Sequence, residues 1–386
     1  MHYYALIALH LVYFITFSVV GFLPKYFGEI GLSNSQIGML MSLPAVVGVL
    51  CQPYFGVLVD RARYKRMALT GLLAALGVTC FAMNGVSGFL PLIAGLTVFS
   101  VMELPVAPTL AAISLEYTQQ VGKSYGLIRL VGTVGYQIGA LLTGALLVGS
   151  LHGIYRLLGL VMVFSCAITF LLPTVKGHQY GRKKVPMAAL LRDRHILALL
   201  AMVLIGTVTT QFYLSFFTRH MGNLGVDNTV TGLMLFVSVI LELPILLRGD
   251  RLAQKTSIWN WLLIGYGLNA IRWMGLAATS SVPLLMLFQI PAVSVMLCFE
   301  FLPAIYVSRR VPDELKGSAQ SALMVVAFGV SKVIGSLIGG FASERVGIPT
   351  VFAFNGVMLG VAILALWEPT RRLIQSEMRV SKSAGI

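Results

Sequence analysis

Apolar residues run through this chain in long blocks, separated by short polar interruptions that hold most of the charge. A helix crossing about 30 Å of hydrocarbon needs roughly 20 such residues. On that ruler the blocks predict twelve spans, at residues 5–27, 36–59, 67–85, 89–115, 125–147, 154–172, 196–218, 229–248, 257–278, 284–306, 317–341 and 348–367. The first block begins at residue 5 and is too long for a signal-peptide core, which predicts an uncleaved first helix. The expected fold is therefore an all-α integral membrane protein.

Composition agrees: 57% of residues are hydrophobic and 11% charged, against about 25% charged in ordinary soluble domains. A net charge of +14 would point to nucleic acid in a soluble protein, but here the positions of the bases carry the information. With the N-terminus placed in the cytoplasm, 21 of the 28 Lys and Arg fall in cytoplasmic loops and the tail. Only Lys25, Arg156, Arg219 and Arg345 fall on the other side, and three more lie within spans. That asymmetry predicts cytoplasmic termini and leaves no call for a nucleic-acid partner. No N-x-S/T acceptor occurs, in keeping with a bacterial inner membrane. Trp259 and Trp261 near a span start and Trp367 near a span end fit interfacial anchors.

The chain also repeats itself. Residues 28–38 read G-E-I-G-L-S-N-S-Q-I-G and residues 222–232 read G-N-L-G-V-D-N-T-V-T-G, each linking one span to the next. Glu103-Leu104-Pro105 in the fourth span is echoed by Glu300-Phe301-Leu302-Pro303 in the tenth, and Gly56–Arg66 by the loop containing Asp250-Arg251. Same-topology repeats imply two pseudo-symmetric six-helix bundles with a site at their interface near mid-membrane. The expected division is 1–172, a cytoplasmic linker at 173–195, and 196–386 with a cytoplasmic tail. Gly135-x-x-x-Gly139 and Gly335-x-x-x-Gly339 offer close helix approach in the fifth and eleventh spans.

Six ionisable residues lie inside the apolar blocks: Glu103, Arg129, Glu242, Arg272, Glu300 and Lys332. Each costs about 2.5–3.5 kcal/mol at a bilayer centre, so such groups face one another or a wet cavity. A carboxyl that alternately meets Arg272 and an apolar wall takes up and releases a proton, since burial and a nearby guanidinium push its pKa in opposite directions. Glu103 is placed to bind a proton, or a hydroxyl or amine of a solute. Arg129 is either a solute anchor or the partner of Glu116. Lys332 either holds a solute anion, pairs with Glu300, or snorkels at a span end. Gln211, with Gln52, Gln137 and Gln289, is a solute contact or an interhelical hydrogen bond. The cysteines (Cys51, Cys80, Cys166, Cys298) are scattered without metal-ligand spacing, and no metal or cofactor is expected.

The segment G-V-L-V-D-R-A-R-Y-K-R (56–66) resembles the G-x-x-x-D-R-x-G-R-[RK]-[RK] loop of the major facilitator superfamily, with Arg63 where that family usually has Gly. The resemblance implies that Gly56, Asp60 and Arg61 form a conformational switch. Y-G-L-I-R-L-V-G-T-V-G-Y (125–136), Glu242-Leu243-Pro244, Arg272-Trp273, Glu300 and G-S-A-Q-S-A-L (317–323) are similar to the branch that includes lactose permease and the phenylpropionate permease. By that resemblance Glu300, Glu242 and Arg272 form proton-coupling machinery and Arg129 is a solute-binding candidate; Glu103, Lys332 and Gln211 are solute-binding candidates on their own chemistry, Lys332 without a counterpart in the family. Two positions depart from the branch. Its acid eighteen residues before the fifth-helix arginine is Ala111 here, and its histidine three residues before the tenth-span acid is Leu297. A galactoside grip is thereby lost, and any proton relay must run without an imidazole.

The expected function is secondary active transport of a small organic solute (an organic acid, nucleoside or sugar-like molecule) by alternating access. The proton gradient is the energy source and the working unit a monomer in the lipid bilayer. A proton-coupled efflux antiporter uses the same groups in the other direction. A polytopic intramembrane acyl- or glycosyl-transferase would need a surface His-x-x-x-x-Asp, Asp-x-Asp or histidine cluster, and none occurs. A transporter-like sensor without flux is the remaining class. No G-x-x-x-x-G-K-[ST] loop occurs, so ATP hydrolysis within the chain is not expected.

Overall fold

The computed structural model describes residues 2–61, 65–173, 193–240, 242 and 256–383. Among them the regular structure is helical, without a strand. The first helices are α1 (His2–Gly21), α2 (Leu23–Glu29), α3 (Asn34–Arg61), α4 (Lys65–Met83), α5 (Phe89–Glu103) and α6 (Val106–Val121). Next come α7 (Tyr125–Leu146), α8 (Ile154–Thr169), α9 (Arg194–Asn223), α10 (Asn228–Ile240) and α11 (Ile258–Ala278). Then follow α12 (Val282–Leu287), α13 (Val293–Val295), α14 (Leu302–Arg310), α15 (Asp313–Met324), α16 (Ser331–Val333), α17 (Gly339–Val346) and α18 (Ile348–Ser383). Three π-helical segments interrupt the late run: Met296–Phe301, Val325–Val330 and Ile334–Ile338.

Eight helical stretches among the described residues are long and apolar enough to cross a membrane. The difference from twelve has local reasons. Ile154–Thr169 and Asn228–Val239 are apolar but shorter, and α3 carries side chains outside the described set from residue 52 onward. Helix α11 has the length, 21 residues, but contains Asn260, Asn269 and Arg272. Large apolar side chains stand exposed along these helices, among them Leu364 at 80% and Leu90 at 75%. That surface suits lipid and not water. Inward hydroxyls bond their own helices: Thr109, Ser114, Thr118, Thr143 and Thr207 each donate to the carbonyl four residues back.

The helices form two compact units. One comprises Met1–Arg182 with Ser215–Phe236, the other Lys183–Leu214 with Val237–Ile386. In the first unit α1 packs along α7 and α8, α4 along α8, and α3 along α5. Gly135 and Gly139 open the α1–α7 seam. A methyl at Gly135 would collide with the Leu11 carbonyl, and one at Gly139 with Ile15 and the Ser18 hydroxyl. The second unit uses the same device: Gly335 sits against the Val208 carbonyl and Phe212 on α9, and Gly339 against Phe212. There α11 packs along α18, with Gly356 against Met274 and the Ala270 carbonyl.

The repeated eleven-residue segments have one physical explanation. Gly31 and Gly225 both take a left-handed backbone, φ +87° and +71°, which ends the preceding helix at little steric cost. Leu32 then donates to the Phe27 carbonyl and Val226 to the Met221 carbonyl, each at 2.9 Å. The next helix starts at once, capped by Ser33 with Gln36 in a reciprocal pair in one copy. In the other copy Asp227 Oδ1 accepts from the Thr229 N–H at 2.7 Å.

Ion pairs tie helix ends in each unit. Lys65 on α4 meets Glu116 on α6 at 3.2 Å. In the second unit Asp193 caps α9 through the His195 N–H (2.8 Å) and accepts from Arg310 at 2.7 and 3.2 Å. Burial pulls the Asp193 carboxyl up, but the hydrogen bonds from Arg310 and from the His195 and Ile196 backbones outweigh it and hold the group below its ordinary value.

Two expectations follow. Gly135→Ala and Gly335→Ala should each destabilise the folded protein by about 1–3 kcal/mol through overpacking. Gly71→Ala, with nothing within 4 Å of the added methyl, should be neutral or stabilising by up to ~1 kcal/mol. Thermal midpoints in detergent check this, and equal behaviour of all three variants would contradict the seam. Second, the stabilisation from a depressed carboxyl is present above the unfolded pKa, about 3.9, and is lost as pH falls through the lower folded value. Asp193→Asn should therefore lower the midpoint near neutral pH, with the gap to wild type closing on acidification below about 4. A gap independent of pH would assign the loss to packing.

Candidate functional site

The proline at 105 shapes the first charged position. It has no N–H to offer the carbonyl four residues back, and the helix breaks between Glu103, the last residue of α5, and Val106. Glu103 thus stands at the interruption of the apolar run Phe89–Val121, where Tyr13 of α1 donates to its Oε1 at 2.7 Å. Tyr13 is fully buried and lies edge-on to Phe14 and Phe17. Arg129, in the first turns of α7, places its guanidinium 5.0 Å over the Phe14 ring. His10 stacks on the same ring and is within electrostatic reach of Arg129. Glu116, one alternative partner for Arg129, is held by Lys65.

The second unit assembles its charges more tightly. Arg272 on α11 is 2% exposed, and its Nη2 donates to Gln289 Oε1 at 2.8 Å. The same oxygen accepts from the Tyr213 hydroxyl at 2.9 Å. The guanidinium also lies 4.1 Å from the Tyr213 ring centroid and 4.8 Å from that of Trp273. Trp273 is oriented in turn by donation to Thr209 Oγ1 at 3.0 Å. Neutral groups from α9, from α11 and from the turn after α12 therefore hold this base, while its Nε has no hydrogen-bond partner among the described residues. Glu242 lies within electrostatic reach of both Arg272 and Glu300.

Backbone irregularity marks the same region. Glu300 sits inside the π-helical segment Met296–Phe301, three residues before Pro303 in the first turn of α14. Lys332 occupies the single α-turn between the π segments Val325–Val330 and Ile334–Ile338. It lies midway along the run Ala319–Val346, not at an end from which it would snorkel. π-Bulges loosen the regular hydrogen-bond ladder and are frequent at functional sites. Gln211 is 4% exposed and donates to the Ala327 carbonyl inside one of them at 3.2 Å, so its amide ties α9 to that segment.

A third cluster joins the two repeated turns. Lys25 Nζ donates to the Val226 carbonyl at 2.7 Å, and its methylenes lie over Gly222. Arg219, the residue at the equivalent place in the second copy, lies against Gly28. Thr218 donates to the Gly21 carbonyl at 2.9 Å, and Asn228 to the Leu147 carbonyl at 2.6 Å. Each copy thus supplies a basic side chain to the other copy's glycine, where any Cβ would intrude.

Glu103 and Arg129 belong to the first unit, and Gln211, Glu242, Arg272, Glu300 and Lys332 to the second. Gly56, Asp60 and Arg61 lie on α3 with side chains outside the described set, and Leu243, Pro244, Asp250, Arg251 and residues 174–192 of the linker lie outside the described residues altogether. Sequence reasoning missed Tyr13 and Tyr213, since a tyrosine in an apolar helix carries no spacing signal for its partner. It also read Lys25 only as a loop base. Among the described residues no group of His, Cys, Asp and Glu is arranged to hold a metal ion.

Comparison with known proteins places this geometry. Maltose permease of Geobacillus stearothermophilus is 27% identical over 350 residues, covering 88% of this chain and 86% of that protein. The probable 3-phenylpropionic acid transporter of Escherichia coli K12 is 25% identical over 363 residues, covering 92% and 93%. The crystal structure of the nucleoside transporter NupG superposes with a TM-score of 0.81 at 17% identity, over 95% of this chain and 98% of that one, a likeness of fold. The family profile described as MFS_1 like family matches residues 6–354. The chain belongs to the major facilitator superfamily and is a membrane transporter of that family.

Proposed function

We propose that this transporter is a proton-coupled symporter that carries a small organic solute inward across a bacterial inner membrane. In this reading twelve spans form two six-helix halves, 1–172 and 196–386, joined by a linker at 173–195, with both termini cytoplasmic and a monomer as the working unit. The relatives are described as carriers of maltose, 3-phenylpropionic acid and nucleosides, so hydroxyl-bearing or carboxylate-bearing solutes of that size are the class to test. Gly56, Asp60 and Arg61 act as the conformational switch. Glu103 with Tyr13, Arg129, Lys332 and Gln211 supply the polar contacts for the solute.

One observation carries the proton reading: Glu242 lies within electrostatic reach both of a second acid, Glu300, and of a buried base that neutral groups already hold in place. Like charges in a poorly screened interior disfavour joint ionisation. One proton on the pair lessens that repulsion. The rigid Arg272 then acts as a fixed positive reference that favours proton release when a carboxyl swings toward it. Glu300, on a π segment, is the member whose backbone has room to shift.

Alternating access also requires that the clasp between the repeated turns opens. It closes the side that carries Lys25 and Arg219, the external side in the proposed topology. A charge-assisted hydrogen bond such as that of Lys25 contributes about 1.5–3 kcal/mol, enough to shift a two-state balance roughly tenfold or more.

Two experiments test these assignments. In vesicles with equal amounts of folded protein, Glu300→Gln should abolish gradient-driven accumulation of maltose, 3-phenylpropionate or uridine, whichever is carried, while keeping solute exchange. Glu242→Gln should weaken accumulation. Full accumulation by both variants would overturn the relay and leave a structural ion cluster. For the clasp, a single cysteine at Thr143, in a background without the native cysteines, reports opening through an impermeant thiol reagent. Lys25→Met should raise its labelling rate about tenfold or more, and an unchanged rate would show that the turns separate independently of Lys25.

A further inference from the structure

A groove of about 260 Å³ lies in the second unit between the start of α11 and the end of α18, well away from Arg272 along α11. Its lining combines apolar side chains, from Leu263, Trp367 and Ile374, with polar ones, from Asn260, Thr370, Arg371 and Gln375. The volume is small beside the ~300–1,000 Å³ of ordinary small-molecule pockets, and the groove opens to the surface, unlike a transport pathway.

Two further features make it a built site. Thr370 is 98% buried, being 2% exposed, yet its hydroxyl has no hydrogen-bond partner. A threonine in a helix ordinarily satisfies that hydroxyl on the carbonyl four residues back, as Thr109 and Thr143 do here. Pro369 precedes it inside the helix and offers no N–H to the Ala365 carbonyl, which frees a second polar group on the same turn. Arg371 and Arg372 are adjacent but differ in state. Arg372 pairs with Glu368 one turn back at 3.4 Å, whereas Arg371 has no ion pair or hydrogen bond among the described residues. The groove thus presents an uncommitted guanidinium, an unused hydroxyl and an apolar wall ending in a tryptophan at the close of an apolar run.

We propose that this groove binds an anionic phospholipid, its phosphodiester on Arg371 and Thr370 and its glycerol and acyl carbons against Trp367, Leu263 and Ile374. Guanidinium and phosphate match through two parallel hydrogen bonds, and tryptophan sits at headgroup level in membranes. The apolar wall assigns the ligand to a lipid and not to a free phosphate, which would gain nothing from it. The leaflet is the one facing the chain's C-terminal end.

The experiment uses the full-length protein purified in detergent, with dioleoyl phosphatidylglycerol as the probe. Native mass spectrometry counts retained lipid, and the thermal midpoint is followed during lipid titration. Wild type should retain one phosphatidylglycerol in preference to phosphatidylcholine. Arg371→Gln should weaken retention about tenfold or more, while Arg372→Gln, which removes the same charge from the same turn outside the groove, should change it less than about twofold. Thr370→Val keeps the side-chain shape. It should raise the lipid-free midpoint, because an unsatisfied hydroxyl is gone, and shrink the increment that lipid adds. A merely structural threonine would move both in one direction. Equal losses in the two arginine variants would overturn the proposal in favour of diffuse attraction to anionic headgroups. Competition by sn-glycerol 3-phosphate at the same concentration as lipid would overturn it in favour of a soluble-anion site. A Thr370→Val protein that folds and keeps the full lipid increment would also overturn it.

Discussion

Arg272 has no bulk water to solvate it, and a guanidinium in hydrocarbon must obtain every compensating contact from the protein. The second unit is arranged to supply them. Gln289 gives an amide oxygen, Tyr213 and Trp273 give ring faces, and Thr209 fixes the tryptophan. These partners come from α9, from α11 and from the irregular stretch after α12, so the base cannot be satisfied unless all three are docked. The same interaction that permits the charge also specifies the packing around it.

The partners being neutral has a functional consequence. A guanidinium consumed by one permanent carboxylate would be a structural staple. Arg272 is held by an amide and two rings, and Glu242 lies within electrostatic reach of it and of Glu300. Glu300 lies where the backbone is irregular, on a π segment with Pro303 close behind. In the proposed relay the base stays fixed, so only a carboxyl needs to change position.

Close helix approach is the second constraint. Both units bring a glycine-lined helix against its partner near a backbone carbonyl, α7 on α1 and the Gly335–Gly339 stretch on α9. Lipid offers helices little hydrophobic reason to associate, so contact must come from fit and dispersion between backbones. Where the repeated turns meet, Gly28 and Gly222 serve a different end: their missing Cβ atoms leave room for Arg219 and Lys25. Small residues thus make helix seams in one place and room for a charge-assisted contact in another.

Much of this was legible in the residue order. Apolar block length is set by bilayer thickness and basic loops by topology, so helical character and the family resemblance could be read directly. The internal repeat was visible because left-handed turns demand glycine and helix starts demand a capping side chain, at Gly31–Ser33 and again at Gly225–Asp227. The cost of buried charge likewise singled out Glu103, Glu242, Arg272, Glu300 and Lys332 before any coordinates. Their partners were a different matter. Tyr13 on Glu103, Tyr213 and Gln289 on Arg272, and Lys25 on Val226 join positions from 17 to 201 residues apart. Local spacing records only which face of a helix a residue occupies; which neighbour meets that face is decided by how the helices pack, and that packing is a property of the whole tertiary structure.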